Sequence, residues 1–366
     1  MKFSQFNDLE KVRIDLGNSL FYLKDLLDND FGSHQFLYLG RVNMLFRKDA
    51  NVGLFWDLTK EYRLNTHFPT KALALGYVAL CALLIKLRLA RFVFKVFTFD
   101  APRFYPVILG GNNRYRLIDS ANKTAILVAK SPRNYFFTSN AIRAFNFKAY
   151  ADLVVIPSIA ELTRRAYLEC QISGVAINRL FLSPTSEKCV SRCLRLYFDR
   201  QKSVSRVISS KVFFRYKVAV LASFSATLQS KKINSLVDEF LEVADKLSTE
   251  LEIKTVTIAL SHGDLNRGNV FVNESGISII DWEYFLYRYI DYDSVIYFGN
   301  LRHRSIEEYN NHIATIDNSK INVILFLVEE YFFRILNYKE DVIDSEILLS
   351  NVKALLNNQI KKGDSV

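Results

Sequence analysis

The sequence is poor in the residues that build disulfide frameworks and flexible linkers. Its 366 residues include four cysteines and six prolines. Only Cys189 and Cys193 are close in sequence, and no histidine lies near them, which argues against a Cys/His metal site. Sparse cysteine in a long chain is typical of a reducing compartment. Because the chain also has no Gly/Ser-rich tract, we expect its regions to pack against one another.

The chain shows no apolar N-terminal segment of signal-peptide type, so we expect a cytoplasmic protein. Its most apolar stretch is 71–97, in which Ala72 to Ile85 are 14 uncharged residues, whereas a spanning helix needs roughly 20. Beyond it, Arg88, Arg91 and Lys95 recur at helical spacing on one face. Three interpretations stay open: a helix of the globular body, an in-plane helix on the anionic inner face of a membrane, and a transmembrane span.

Half of the residues are apolar, and the formal net charge is +10. A chain of this length can bury a sizeable core and form two domains. The positive charge favours a polyanionic partner, such as a nucleotide, a phosphorylated substrate, nucleic acid or an anionic lipid. No aromatic–basic motif of a nucleic-acid-binding type is present, so nucleic acid is not expected.

A β-rich pattern runs from residue 105 to residue 130. It predicts three strands, with Gly110 and Gly111 in the first turn and Lys130 at the end of the third strand. Paired glycines let backbone N–H groups approach a phosphate, although an ordinary hairpin has the same composition. A lysine at a strand end is, by itself, commonly a solvated side chain.

The next patterns predict helices and strands that lead to the most informative segment. Residues 158–182 predict a helix followed by a strand, with Glu161 and Glu169 near one stripe of the helix. Residues 189–198 alternate enough to predict a strand. Residues 233–251 predict an amphipathic helix, and a short strand then runs directly into the segment.

The segment SHGDLNRGNVFVNESGISIIDWEYF spans residues 261–285 and concentrates polar groups with catalytic chemistry. Its glycines predict a loop that contains Asp264 and Asn269, followed by a hairpin of two short strands. Because a hairpin brings its two ends together, Asn269 and Asp281 are expected to be neighbours. One amide oxygen and one carboxylate suit Mg²⁺ shared with phosphates, and Asp264 is left to accept a proton from a hydroxyl.

The pattern HGDLNRGNV…IIDWE resembles the catalytic and metal-binding loops of the aminoglycoside phosphotransferase/choline kinase group, which has a protein-kinase-like fold. The resemblance implies that Asp264 is the catalytic base and that Asn269 and Asp281 hold Mg²⁺. It implies that Lys130 pairs with the α/β phosphates of ATP, that Gly110 and Gly111 cover them, and that Glu161 clamps Lys130, with Glu169 as the other candidate. It further implies that His262 and Asp293 support the loop structurally, although Asp293 could simply cap the next helix.

Some features depart from the group's pattern. Asn266 and Arg267 replace its usual histidine and proline, and Arg267 could contact a phosphate or be solvated. We expect an α+β, two-lobed protein-kinase-like fold. Its predicted parts are a mainly helical extension (1–101), a β-rich N-lobe (102–200) and a helical C-lobe (201–366).

The predicted activity is transfer of the γ-phosphate of ATP to a small-molecule hydroxyl. The basic charge and the 71–97 stretch favour a sugar or glycolipid of the surface-polysaccharide or lipopolysaccharide type as acceptor. The alternative is a catalytically inactive kinase-fold protein that binds a nucleotide or a partner.

Overall fold

A computed structural model of the chain describes residues 16, 20, 23–24, 31–42, 44–60, 70–110, 113–119, 121–130, 134–170, 172, 174–179, 184–226, 230–250, 254–273, 276–303, 308, 311, 313, 320–338 and 343–361. Within them, antiparallel sheets and helices confirm the predicted α+β class. The chain divides into two compact units. One comprises Met1–Ser191 with Val270–Ile280, and the other comprises Arg192–Asn269 with Asp281–Val366.

The described strands are β1 (Phe31–Leu39), β2 (Met44–Arg47), β3 (Val96–Pro102), β4 (Val107–Gly110), β5 (Arg114–Asp119), β6 (Thr124–Ala129), β7 (Ile159–Thr163), β8 (Ala166–Cys170), β9 (Val175–Ala176), β10 (Arg206–Ser209), β11 (Thr255–Ser261), β12 (Val270–Asn273), β13 (Gly276–Ile279) and β14 (Leu286–Tyr289). In the first unit an eight-stranded antiparallel sheet has the order β3-β1-β2-β4-β5-β6-β8-β7, and a small sheet has the order β13-β12-β9. In the second unit the sheet order is β10-β11-β14.

The described helices are α1 (Val52–Leu58), α2 (Thr70–Lys86), α3 (Ala90–Val93), α4 (Tyr135–Asn146), α5 (Pro184–Ser203), α6 (Ser210–Ser225), α7 (Lys231–Glu250), α8 (Tyr292–Gly299), α9 (Lys320–Leu336) and α10 (Ile343–Lys361). The predicted amphipathic helix over 233–251 corresponds to α7, and the strand before the catalytic segment corresponds to β11. The predicted hairpin corresponds to β12 and β13, with Val270 opposite Ile279.

The large sheet is covered on both faces because its strands send apolar side chains alternately to each side. On β6, Ile126 and Val128 belong to one core, while Ala125 and Leu127 belong to the other. Strands β1, β2 and β3 lie in the segment for which a mainly helical extension is expected, and they are hydrogen-bonded into the same sheet as β4 to β8. The predicted domain boundaries at 101/102 and 200/201 differ from the division into two compact units described above, and we keep them as proposals.

Helix α2 has two apolar faces with different surroundings. Val78, Cys81 and Ile85 are buried in the second core of the sheet. The opposite face is about half or more exposed at Leu73, Leu80 and Leu83. Among the described residues, no helix combines the length and the hydropathy that crossing a bilayer requires.

Two local predictions are wrong. The helix expected after residue 158 is the antiparallel pair β7–β8, in which Ala166 and Tyr167 pack into opposite cores, as strand alternation requires. The strand expected over 189–198 is part of α5. Its buried residues Val190, Leu194 and Tyr197 recur every three to four positions, which is helical periodicity.

The core of the second unit contains a buried ionic cluster. Glu329 of α9 accepts hydrogen bonds from Lys217 of α6 (2.7 Å), from Arg288 of β14 (3.0 Å) and from the backbone N–H of Tyr289 (2.8 Å). All three charged side chains are fully buried. Burial, with a smaller contribution from the nearby Arg288 guanidinium, lowers the pKa of Lys217 to about 7 against the opposing effect of Glu329.

This cluster predicts a stability that rises with pH. The pKa of Lys217 is about 7 in the folded chain and about 10.5 in the unfolded chain. Between these values the unfolded state binds more protons, so the free energy of unfolding should increase, by at most about 1.4 kcal/mol per pH unit. Urea unfolding at pH 6.5, 7.5 and 8.5 measures this slope.

The variant Lys217→Met is the control, because Arg288 still pairs with Glu329 after the lysine is removed. The slope between pH 7.5 and 8.5 should be smaller in the variant than in the wild type. Equal slopes would show that Lys217 does not titrate in this range.

Candidate functional site

The loop between β11 and β12 is shaped by its own polar side chains. Asn266 donates its backbone N–H to the carbonyl of Asp264 (2.9 Å), and its side-chain oxygen accepts the N–H of Gly268 (2.8 Å). The N–H of Asn269 reaches the carbonyl of Asn266 (3.0 Å). These are the local turns for which asparagine is suited, and they give the loop one defined path.

Asp293, in the first turn of α8, is hydrogen-bonded to the start of this loop. Its fully buried carboxylate accepts the backbone N–H groups of His262 (2.7 Å) and Gly263 (2.9 Å), and also Nε2 of Gln201 (3.1 Å). A carboxylate that accepts backbone N–H groups forms strong, charge-assisted hydrogen bonds. Asp293 therefore fixes the loop at its entry and does not cap its own helix.

The two residues that donate these backbone hydrogen bonds have little conformational freedom. Gly263 has φ +83°, and a Cβ there would lie 2.5 Å from the carbonyl oxygen of Tyr284 and 2.7 Å from Nε of Arg288. Only glycine fits such a position. His262 is buried against Trp282, with ring centroids 4.8 Å apart, and its Nδ1 accepts the N–H of Asp264 (3.2 Å).

Asp264 has two unequal carboxylate oxygens. Its side chain is 23% exposed, and Oδ1 accepts a hydrogen bond from Nε of Arg302 at 2.8 Å. Oδ2 receives the side-chain nitrogen of Asn266 at the long distance of 3.4 Å. Oδ2 is thus the better placed of the two oxygens to accept a hydrogen bond from an incoming group.

Asn269 and Asp281 stand at the two ends of the β12–β13 hairpin. The pairing of Val270 with Ile279 places them within one position of facing each other. Asn269 donates Nδ2 to the carbonyl of Asp264 (2.9 Å), so Oδ1 is the side-chain atom that could bind a metal. Asp281 has φ +62° and ψ +49°, a left-handed conformation that is rare outside glycine and is concentrated at functional sites.

These donors fit a magnesium ion. Mg²⁺ prefers oxygen ligands and is usually held by one or two carboxylates, with substrate phosphates and water completing the shell. Among the described residues there is no cluster of three His, Cys, Asp or Glu side chains that would suit a protein-only metal cage. The set of one amide oxygen and one carboxylate therefore favours a shared Mg²⁺ over a structural metal.

In the first unit, Lys130 follows β6 and its Nζ lies 4.8 Å from the ring centroid of Tyr115, which belongs to the first core. Gly110 ends β4 opposite Tyr115, and Gly111 lies outside the described residues. Glu161 is exposed on β7, in register with Tyr167 of the second core. The structure thus places Lys130 and Glu161 on opposite faces of the sheet and does not bring them together.

The second glutamate candidate is also distant from Lys130 along the sheet. Glu169 pairs in register with Ala125, five residues before Lys130, or roughly 16 Å along the strand. Its carboxylate contacts Arg116 at 3.4 Å. The clamp on Lys130 remains a prediction that neither glutamate's position favours.

Arg302 is the site residue that the sequence patterns missed. It lies in the 3-10 turn Leu301–His303, after α8, and pairs with Asp264 across 38 positions of sequence. An arginine in a polar segment outside any recognised motif carries no local signal. Arg267, in contrast, could be found in the motif, and its buried Nε has no hydrogen-bond partner among the residues that the structure describes.

No protein-family model matches the chain, and no curated protein matches its sequence. Among solved structures, the ADP-bound aminoglycoside phosphotransferase APH(2'')-Ib is similar at 17% identity and TM-score 0.42, over 69% of this chain and 92% of its own. Choline kinase LicA from Streptococcus pneumoniae has 13% identity and TM-score 0.43, over 69% of this chain and 92% of its own. A Plasmodium vivax ethanolamine kinase has 15% identity and TM-score 0.42, over 85% of this chain and 94% of its own. At such scores the chemistry of this site rests on its own residues.

Proposed function

We propose that this protein is an ATP- and Mg²⁺-dependent phosphotransferase that transfers the γ-phosphate to a hydroxyl of a small molecule. The observation that carries the proposal is the loop of residues 262–269. Asp293 accepts two backbone N–H groups of this loop, Asn269 Nδ2 donates to the backbone carbonyl of Asp264, and Asn269 and Asp281 flank the hairpin that follows. A general base next to a Mg²⁺ site is the minimal equipment for phosphoryl transfer.

Each carboxylate has a separate role. Asp264 orients the acceptor hydroxyl and accepts its proton. Asn269 Oδ1 and the Asp281 carboxylate would hold Mg²⁺, which, when bound, neutralises the phosphates of the nucleotide. His262 and Asp293 keep the loop in place and do not touch the substrate.

The nucleotide phosphates need cations and backbone donors as well. We assign Lys130 to the α and β phosphates and the turn containing Gly110 and Gly111 to backbone contacts with them. Arg267 contributes positive charge to the catalytic loop, and its buried, unpaired Nε is consistent with a phosphate partner. The net charge of +10 suits a highly anionic cosubstrate.

A sugar or glycolipid is the acceptor that we favour. A polycationic acceptor such as an aminoglycoside is usually met by acidic surfaces, whereas this chain is basic. An exposed apolar helix face on the same chain suits an acceptor presented at a membrane.

The test is ADP release from Mg–ATP with a panel of monosaccharides, glycolipids, choline and aminoglycosides. Activity with a sugar or glycolipid supports the acceptor class, and activity restricted to choline or aminoglycosides refutes it. Asp264→Asn should lower kcat by roughly 10² or more, because it removes the proton acceptor, while Mg–ATP binding stays unchanged. Asp281→Asn should instead weaken Mg–ATP binding.

Asp291→Asn is the matched control, since Asp291 is a partly exposed aspartate of the same unit that contacts Lys202 at 3.8 Å. It should leave both kcat and Mg–ATP binding unchanged. Wild-type binding of Mg–ATP without transfer to any acceptor would favour the second candidate function, a kinase-fold protein that binds nucleotide without catalysis. The position of Glu161 on the face of the sheet away from Lys130 is the observation that keeps this candidate open.

We further propose that α2 and the segment after it bind an anionic membrane surface. The outer face of α2 is apolar, and no Asp or Glu occurs between residues 62 and 99. The segment after α2 carries exposed Arg88, Arg91 and Lys95, next to Phe92, which is 72% exposed. Apolar insertion combined with cationic contacts to headgroups is how in-plane helices bind anionic lipid.

This proposal predicts sedimentation with phosphatidylglycerol vesicles. The double substitution Leu80→Glu with Leu83→Glu should abolish it, because both side chains are about half exposed and would have to enter the lipid. Leu196→Glu, at a leucine of similar exposure on α5, should leave it intact. Equal sedimentation of the wild type and both variants would contradict membrane binding through α2, and so would a wild type that does not sediment.

A further inference from the structure

The guanidinium of Arg302 donates hydrogen bonds to two carboxylates and to one hydroxyl. Nε donates to Oδ1 of Asp264 (2.8 Å), Nη1 donates to both carboxylate oxygens of Glu330 (2.8 Å each), and Nη2 donates to the hydroxyl of Tyr292 (2.9 Å). Its plane also lies over the ring of Phe333, 4.0 Å from the centroid. The fixed fork of an arginine is therefore held in one position and orientation.

The carboxylate that pairs with Arg302 on α9 is itself held by further hydrogen bonds. Glu330 lies fully buried within α9 and also accepts hydrogen bonds from the hydroxyl of Tyr292 (2.5 Å) and from Arg334 (3.2 Å). Burial alone would raise the pKa of Glu330, but Arg302 and Arg334 outweigh it and lower the pKa to about 2. Glu330 is thus an anion at any working pH, and it fixes Arg302 to α9.

We propose that Arg302 is a positioning residue, which holds Asp264 by Oδ1 so that Oδ2 receives the acceptor hydroxyl. The inference rests on the proposed function and adds the atom of Asp264 that faces the acceptor. Oδ1 already accepts a hydrogen bond at 2.8 Å, whereas Oδ2 is contacted only at 3.4 Å among the described residues, so Oδ2 is the oxygen better able to accept the substrate hydroxyl.

The chemical step then balances as follows. The acceptor oxygen forms a bond to Pγ, and the bond from Pγ to the β–γ bridging oxygen breaks, with its electron pair left on ADP. The hydroxyl proton passes to Oδ2 of Asp264 and from there to water. Arg302 neither gives nor takes a proton, because an arginine stays protonated in proteins.

A purely structural role for Arg302 makes a different prediction. In that case the arginine would matter only as a counter-charge for Glu330, and Arg334 would matter in the same way. Arg334 contacts Glu330 and the ring of Phe333 but has no hydrogen bond to Asp264. Arg334→Ala is therefore the matched control for the link to Asp264.

The experiment compares Arg302→Ala, Arg302→Lys and Arg334→Ala with wild type, using Mg–ATP and the best sugar or glycolipid of the acceptor panel. Arg302→Ala should lower kcat about ten-fold or more, since a misplaced base loses the reacting geometry, with the Kd of Mg–ATP within two-fold of wild type. Added methylguanidinium should restore part of kcat, and Arg302→Lys should be intermediate. Arg334→Ala should stay within two-fold in kcat.

Equal losses in Arg302→Ala and Arg334→Ala would overturn the inference. If Arg302→Ala fails to fold, the pair Arg302→Gln with Glu330→Gln removes both charges and takes its place. A crystal structure of whichever Arg302 variant folds shows the orientation of Asp264 and so tests this inference separately from the proposed function. An Asp264 side chain that keeps its orientation without Arg302 refutes the positioning role, whereas a wild type that transfers phosphate to no acceptor refutes the function alone.

Discussion

The candidate site depends on the hydrogen bonds that the carboxylate of Asp293 accepts from the loop after β11. This carboxylate accepts two consecutive backbone N–H groups at the exit of β11, where Gly263 must adopt a positive φ and His262 must lie against Trp282. These groups are buried, so leaving them unpaired would cost about 1–3 kcal/mol each. With the loop entry fixed, its asparagine turns determine where Asp264 and Asn269 point.

Helix α9 stabilises the same unit through two adjacent buried acids. Glu329 meets Lys217 and Arg288, and Glu330 meets Arg302 and Arg334. Buried carboxylates are tolerated when they are paired and hydrogen-bonded, and removal of one partner is strongly destabilising. The first acid fixes β14 and α6 to α9, while the second is linked through Arg302 to Asp264. A single turn of α9 therefore links the core of the unit to its site.

The sequence predicted the parts of this protein whose signals are local. Turn residues and alternation predicted the loop before β12 and the β12–β13 hairpin, and a strong 3.6-residue period predicted α7. It failed at β7–β8, where Leu162, Ala166 and Glu169 happen to match helical spacing, although Ala166 and Tyr167 lie on opposite faces of a sheet. Arg302 and Glu330 could not be found, because their pairing joins segments that only the folded chain brings together.

The central claim is that Asn269 and Asp281 bind one divalent cation beside Asp264. A crystal structure with Mg²⁺ and a non-hydrolysable ATP analogue tests it most directly. We expect a metal about 2.1 Å from Oδ1 of Asn269 and from a carboxylate oxygen of Asp281, with the terminal phosphate facing Oδ2 of Asp264. A nucleotide-bound metal that touches neither side chain would contradict this claim.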